Sequence, residues 1–174
     1  MRFSAKFSLL CCLLAAVGVL AASPAAAAVP QATLTKDGRA VAPESAPDSV
    51  KAMIAAANRI RHHPYRWGGG HRNWNSAGYD CSGSLSYVLH AAGLLDYPLD
   101  SRGFMRWGGA GGGSWVRIYA NHGHVFAVIA GLRWDTSMTD DGDRSGPGWS
   151  EEMRETRGFR LRHPLGLLSA VPGS

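Results

Sequence analysis

One cysteine stands at the start of a helical pattern. The stretch GYDCSG, residues 78–83, leads into LSYVLHAAGLL, and apolar residues repeat there at the spacing of one helix face: Cys81, Leu85, Val88, Leu89 and Ala92. A sulfur in the first turn of a helix lies near the positive end of the helix dipole and near free backbone N–H groups. Both favour the thiolate, which is the nucleophilic form of cysteine. The sequence therefore predicts that Cys81 is a nucleophile rather than an inert buried cysteine.

A histidine beside a strand-like run is the candidate base. A thiol nucleophile needs an imidazole within hydrogen-bond distance to take its proton, and a third group to hold that imidazole. Two of the seven histidines, His122 and His124, begin the run NHGHVFAVIAG, and His124 is the nearer to the strand. We therefore predict His124 as the base. The remaining five are interpreted as structural or exposed: His62, His63, His71, His90 and His163.

The alternation of side chains along two paired strands indicates which residue could orient His124. Side chains alternate along a strand, so His124 and Phe126 share one face. If Ala130 and Gly131 form a two-residue turn, Asp135 lies opposite Phe126 and diagonal to His124. Diagonal neighbours in an antiparallel ladder are roughly 7–8 Å apart, which is close enough for an aspartate to reach an imidazole. We predict Asp135 as the residue that orients His124, with a surface aspartate at a strand end as the alternative.

The elements that would position these residues form an α+β layout. A first helix, SVKAMIAAANRIRHH, follows the candidate N-caps Asp48 and Ser49, and it ends before Pro64. The glycine- and aromatic-rich stretch PYRWGGGHRNWNSAGYD is a loop that leads to the cysteine helix. Strand-like runs WVRIYAN, HVFAVIAG and RWDTSM follow, with a closing segment RGFRLRHPLGLL. One cysteine helix packed on a small antiparallel sheet is the expected fold class.

The first 28 residues have the pattern of a secretory signal. Arg2 and Lys6 precede the apolar run LLCCLLAAVGVLAA, and small residues follow. We therefore predict a signal peptide at 1–28, a flexible lead-in at 29–47 and one catalytic domain at 48–174. The expected location is secreted, periplasmic or at the cell wall, with no membrane anchor after cleavage. Cys81 would then be the one thiol of the mature chain.

The charge favours no nucleic-acid partner. The net charge of +5 falls to +3 without residues 1–28, since Arg2 and Lys6 are removed with them. No block of basic residues interleaved with aromatics appears, so nucleic acid is not an expected ligand. A mild positive charge suits an anionic cell-wall surface. We expect a monomer.

These motifs resemble the NlpC/P60 family of cell-wall cysteine peptidases. The resemblance rests on PYRWGGG, on GYDCSGSLSYVLHAAGLL and on a later His-Val at the head of a strand, over roughly residues 50–137. It implies a papain-like α+β fold and hydrolysis of peptide bonds in peptidoglycan stem peptides. By this resemblance Cys81 is the nucleophile, His124 the base and Asp135 the third residue. Tyr65 matches a tyrosine that lies beside the nucleophile and assists in the oxyanion region.

Two segments depart from the pattern of that family. It usually has Gly-Asp and an apolar run shortly before the catalytic histidine, where this chain has GGGSWVRIYANHGH. The loop from Gly68 to Tyr79 is also longer than usual. Both segments would border the substrate groove, so they bear on which peptide is cut.

Other functions stay open at this point. The thiol would also suit a papain-like amidase or acyl-transfer enzyme, and an inactive cell-wall-binding module would keep the groove without the chemistry. Zinc on His122, His124 and Cys81 is disfavoured because no metal-binding spacing occurs, and the acidic stretch TDDGDRS lacks the final glutamate of a calcium loop. No cofactor is expected. Four tryptophans are candidates to line a glycan groove: Trp67, Trp74, Trp107 and Trp115.

Overall fold

The computed structural model describes residues 29–137 and 145–167. The helices are α1 (Asp48–Ile60), α2 (Cys81–Ala91) and the short α3 (Ser101–Phe104). The strands are β1 (Thr33–Leu34), β2 (Ala40–Val41), β3 (Gly109–Ala110), β4 (Val116–Ala120), β5 (Val125–Ile129), β6 (Leu132–Asp135), β7 (Gly148–Ser150) and β8 (Arg160–His163). Within these ranges no helix is long and apolar enough to cross a membrane. The predicted signal segment and residues 139–144 of the acidic stretch lie outside the described residues.

A six-stranded antiparallel sheet carries the fold. Its strand order is β3-β8-β4-β5-β6-β7. Helix α2 packs against both α1 and the central strand β5. The apolar face of α2 is buried at Leu85, Val88 and Leu89, and all five residues of β5 are buried. The α+β class with a cysteine helix on an antiparallel sheet is therefore confirmed.

Helix α1 covers the sheet beside α2 and begins earlier than an N-cap at Asp48 or Ser49 would place it. Asp48 is its first residue, and the N-cap position is Pro47, which makes no side-chain cap. Neither Asp48 nor Ser49 is therefore the N-cap that the sequence suggested. The helix ends at Ile60, and the His63 N–H donates to the Ile60 carbonyl at 2.9 Å just before Pro64. The proline disfavours the helical conformation of the residue before it and so limits α1.

The hairpin of β5 and β6 has the two-residue turn that the parity argument required. Ile129 pairs with Leu132, so only Ala130 and Gly131 lie in the turn. Both have positive φ, 46° and 88° respectively, as a type I′ turn demands. This register places Asp135 on the same face of the sheet as Phe126 and His124.

Residues 29–47 contain more structure than the sequence indicated. Strands β1 and β2 pair as a small antiparallel hairpin, and the Ala32 N–H donates to the Ala130 carbonyl at 2.7 Å. The Asn58 side chain of α1 accepts from the Ala40 N–H at 3.0 Å and donates to the Ala40 carbonyl at 2.8 Å. The expectation of a flexible lead-in is therefore corrected, since this segment packs on the domain. Two-residue strands are too short to show a period in the sequence.

The closing segment enters the sheet rather than lying at its edge. Strand β8 pairs with β4 on one side and with β3 on the other. Its Arg162 guanidinium donates to the carbonyl oxygens of Arg106, Trp107 and Gly108 at 2.7–3.1 Å. These bonds hold the chain between α3 and β3 against the sheet.

Candidate active site

The N-terminus of α2 presents Cys81 as its first residue. The N-cap is Asp80, whose Oδ1 accepts from the Gly83 N–H at 2.7 Å and whose Oδ2 accepts from the Gly68 N–H at 2.9 Å. Burial opposes ionisation of Asp80, but these bonds and a neighbouring histidine hold the pKa of this carboxyl below its usual value. Cys81 is a free cysteine with 9% of its surface exposed. The helix start therefore offers one thiol, largely shielded from solvent, beside the N–H groups of the first helical turn.

Close backbone packing fixes the loop before Cys81. A Cβ on Gly83 would collide with the Gly69 carbonyl oxygen, and a Cβ on Gly69 would collide with the Gly78 carbonyl oxygen. Glycine is therefore needed at both places for the loop to lie against the helix. Tyr65 forms a parallel bridge with Tyr79, two residues before Cys81. The structure thus places Tyr65 on the segment that leads into the helix, and its part in an oxyanion site stays a prediction.

A tight turn positions His124 between β4 and β5. The Asn121 side-chain oxygen accepts from the N–H groups of Gly123 and His124 at 2.9 and 2.8 Å, and the Asn121 N–H donates to the His124 carbonyl. His124 therefore precedes the first residue of β5 and is held by its backbone. The rings of Phe126 and Phe159 pack beside the imidazole.

Asp135 meets His124 from the neighbouring strand. Nε2 of His124 lies 2.8 Å from Oδ1 of Asp135. The same Oδ1 accepts from the N–H groups of Thr136 and Ser137 at 2.7 and 3.2 Å. The Asp135 side chain is fully buried, and that of His124 is 21% exposed. The contact predicted from hairpin parity is therefore present.

Two arginines bind the other oxygen of Asp135. Arg133 Nη1 lies 3.1 Å and Arg154 Nη1 lies 3.0 Å from Oδ2. Burial would raise the pKa of Asp135, but His124 and Arg154 outweigh it and lower that pKa. The carboxylate is therefore ionised when it meets the imidazole. Sequence reasoning missed both arginines, because Arg133 points at a residue two positions away on its own strand and Arg154 comes from a distant segment.

His124 is strongly basic in this environment. Burial opposes protonation of the ring, but hydrogen bonding and charge from Asp135 and from the Cys81 side chain outweigh it and raise the pKa of His124 to about 9. Asp135 occupies Nε2, which leaves Nδ1 as the ring nitrogen for the thiol. The arrangement can hold an imidazolium between a thiolate and a carboxylate.

A cavity of about 370 Å³ opens beside the thiol. Its wall includes Trp67, His71, Cys81, Arg102 and His122. Trp67 is 81% exposed at this wall. The cavity is large enough for part of an extended peptide next to the sulfur.

The sequence matches no family model, and no curated protein matches it. The structure, however, is similar to the peptidoglycan hydrolase RipB from Mycobacterium tuberculosis, with a TM-score of 0.54 at 21% identity over 71% of this chain and 68% of RipB. It is also similar to an NlpC/P60 family protein from Bacillus cereus, with a TM-score of 0.50 at 20% identity over 67% of this chain and 40% of that chain. The chain has the NlpC/P60 fold.

A third structure with this fold is more distant in sequence. NlpC1 from Trichomonas vaginalis matches with a TM-score of 0.50 at 12% identity, over 70% of this chain and 45% of that chain. This chain spans less than half the length of the Bacillus and Trichomonas proteins. The NlpC/P60 fold predicted from the cysteine helix and its loop is thereby confirmed, and the chemistry has to be argued from the site itself.

Within this NlpC/P60 fold, His71 is another site residue that sequence reasoning missed. Its Nε2 lies 3.1 Å from Oδ1 of Asp80 and 3.1 Å from the Ser82 hydroxyl. The hydrogen bond to Asp80 raises the pKa of His71. From the sequence alone, His71 is interpreted as a structural or exposed histidine. Its position in the loop next to Asp-Cys-Ser was the only available signal, and spacing alone does not show that the loop folds back onto the helix.

The four tryptophans do not form one groove. Trp115 is 3% exposed in the core, so it is removed from the set of candidate ligand residues. Trp74 stacks on His90 with the ring centroids 3.9 Å apart, and Trp107 packs edge-on against Phe104. Trp67 lines the cavity at Cys81. Among the residues that the structure describes, no group of three His, Cys, Asp or Glu side chains is placed to hold a metal ion.

Proposed function

We propose that this protein is an exported cysteine endopeptidase that hydrolyses peptide bonds in peptidoglycan stem peptides. The observation that carries the proposal is the His124 ring, which interacts with the Cys81 side chain at a helix N-terminus and with the buried Asp135 carboxylate at 2.8 Å. The NlpC/P60 fold and its peptidoglycan hydrolase RipB support a cell-wall substrate. The expected location of the protein is the outside of the cell or the periplasm.

The first half of the reaction forms a thioester. The Cys81 sulfur, having given its proton to His124, attacks the carbonyl carbon of a peptide bond lying in the cavity. The developing oxyanion lies near the Cys81 N–H at the start of α2, with the Tyr65 hydroxyl as a second donor. As the C–N bond breaks, the His124 imidazolium gives its proton to the leaving amine.

The second half releases the acyl group. His124, again neutral, accepts a proton from water, and the water oxygen attacks the thioester carbon. The C–S bond breaks and the sulfur regains the proton held by His124. The carboxylic acid product leaves as a carboxylate and loses its remaining proton to solvent. Asp135 stays ionised throughout and stabilises each imidazolium stage, as the third member of a triad does.

The experiment is digestion of purified peptidoglycan, followed by mass spectrometry of the released peptides. A cut between two amino acids of the stem, absent with Cys81→Ala, is the expected result. Release of intact stems, from cleavage of the amide that joins glycan and peptide, would instead identify the amidase alternative. Binding to the cell wall without any release would identify the inactive binding module.

A further inference from the structure

Arg154 contacts His124 and Asp135 from a segment outside the β5–β6 hairpin. It lies on the segment between β7 and β8, nineteen residues beyond Asp135, and its side chain is 14% exposed. Its Nη1 is 3.0 Å from Oδ2 of Asp135 and 3.2 Å from Nε2 of His124. Its guanidinium carbon lies 5.6 Å from the centroid of the Phe126 ring. Arg154 therefore contacts both the imidazole and the carboxylate.

The contact of Arg154 with His124 is not a second hydrogen bond. A guanidinium can only donate, and Nε2 of His124 uses its hydrogen to reach the ionised Asp135. Two donors consequently face each other at 3.2 Å. The contact is instead the close approach of a fixed cation to the ring that becomes positive during the reaction.

Asp135 does not depend on Arg154 for its position. Arg133 binds the same Oδ2 at 3.1 Å, and the N–H groups of Thr136 and Ser137 bind Oδ1. The Arg133 side chain is 3% exposed, so this pairing is well shielded from solvent. Arg154 thus places a second cation on a carboxylate that is already held.

The charges that face His124 come from three elements. The Cys81 thiol belongs to α2, Asp135 and its partner Arg133 belong to β6, and Arg154 belongs to the β7–β8 segment. The rings of Phe126 and Phe159 complete the surroundings without charge. Arg154 is therefore the one group of this set that opposes the imidazolium at its own ring nitrogen.

We propose that Arg154 is a positioning residue of the catalytic pair, whose charge limits how strongly His124 holds its proton. The inference gains its catalytic meaning from the proposed function. An imidazolium stabilised too far is a weak acid toward the leaving amine, and general acid catalysis is most effective when the acid titrates near the working pH. The pKa of His124 is about 9 with Arg154 in place, so a further rise would move it away from neutrality.

The experiment is an NMR pH titration of the His124 ring in the full protein. The titration is made in a Cys81→Ala background, in which the side chain next to the ring cannot ionise, and the spectrum of His124→Gln assigns the signal. Arg154→Gln is expected to raise the pKa of His124 by roughly one unit, because a like charge beside the ring is removed. Arg154→Lys keeps the charge and should stay within a few tenths of a unit of the parent. The matched control is Arg157→Gln, an exposed arginine of the same segment, which should leave the titration unchanged.

An unchanged or lowered pKa in Arg154→Gln would overturn the proposal, and a lowered pKa would mean that Arg154 acts by holding Asp135 on the ring. Arg154→Met provides a second neutral variant, for which the same rise is expected. Failure of both neutral variants to fold would also overturn it, because Arg154 would then be a structural residue. The titration needs no substrate, so its result is independent of whether peptidoglycan is cut. In an active enzyme the alkaline limb of kcat/KM should move upward together with the pKa.

Discussion

Two histidine–aspartate pairs lie near Cys81, and each joins an imidazole Nε2 to a carboxylate Oδ1. The distance is 2.8 Å in His124–Asp135 and 3.1 Å in His71–Asp80. The imidazoles are similarly accessible, at 21% and 25% side-chain exposure. Residue types and distances alone do not separate the two pairs.

The other partners of each carboxylate make the difference. Asp80 is bound to backbone N–H groups of α2 and of the loop, so its first role is to cap the helix. Asp135 is bound to the guanidinium groups of Arg133 and Arg154 inside the domain. The histidines also differ, since His71 meets the Ser82 hydroxyl and His124 interacts with the Cys81 thiol. The role of a histidine–aspartate pair is therefore best inferred from the other groups that the histidine and the aspartate bind.

The largest expected difference between the pairs is in turnover. Cys81→Ala and His124→Ala should each lower peptidoglycan hydrolysis at least about 10³-fold without unfolding the chain, since each removes a reacting group. His71→Ala should lower kcat less than about tenfold, because His71 takes no part in proton transfer. Rates from released peptides, with circular dichroism as a folding check, would measure this. Equal losses in His71→Ala and His124→Ala would erase the proposed distinction.

A smaller loss is expected from Asp135→Asn. The amide keeps the shape of the carboxylate but loses the charge that favours the imidazolium, so kcat should fall roughly 10²-fold at neutral pH, at the low end of general acid–base effects. Retention of Arg133 and Arg154 near a neutral side chain should also lower stability. Hydrolysis rates together with urea unfolding would separate the two effects. Wild-type rates in the variant would remove Asp135 from the mechanism.

For the His71–Asp80 pair, the expected effect of a substitution is on the stability of the fold. Asp80→Ala removes the cap of α2 and the acceptor of the Gly68 N–H, which should lower the free energy of unfolding by about 1–3 kcal/mol. Asp100 is the matched control, because it caps the short helix α3 through the Gly103 N–H at an exposed position. Asp100→Ala should cost about half a kcal/mol. Urea unfolding of both variants tests the order, and a larger loss in Asp100→Ala would contradict it.

The His124–Asp135 pair also predicts how the stability of the protein depends on pH. The pKa of His124 rises on folding from its ordinary value to about 9. The protonated ring therefore adds stability that is fully present below about pH 6.5 and is lost as the pH rises through about 9. The free energy of unfolding of the wild type relative to His124→Gln should be greater at pH 6 than at pH 10, by up to about 3 kcal/mol. Urea titrations at both values would test this, and a gap that widens toward pH 10 would contradict the pairing.

Local patterns predicted the part of the site that depends on local geometry. The apolar repeat after Cys81 is a helix, and strand alternation with the Ala130–Gly131 turn predicted the meeting of His124 and Asp135. Both the helix after Cys81 and the hairpin between His124 and Asp135 are short segments of regular secondary structure. Side-chain direction then follows from periodicity alone.

The parts of the site and the fold that the sequence did not reveal depend on contacts between residues far apart in the chain or without a repeating pattern. Arg154 reaches His124 across thirty residues, and no period links the two. His71 meets Asp80 because glycines let the loop approach the helix, which depends on the absence of a Cβ rather than on a repeating pattern. The alanines of residues 29–47 are weakly apolar, so their burial on the domain left no signal.

The two-residue turn between β5 and β6 makes the candidate active site unequally tolerant of substitutions and of changes in loop length. A point substitution at Ala130 or Gly131 adds strain at positive φ but leaves two residues between Ile129 and Leu132. Insertion of one residue sends the Asp135 side chain to the opposite face of the sheet wherever it shifts the strand register by one position. Substitutions in the turn are therefore expected to have graded effects on the His124–Asp135 contact. Changes in the length of the turn are expected either to keep that contact or to abolish it. A library that varies the length of this turn would divide into chains that keep the His124–Asp135 contact and chains that lose it, with few between.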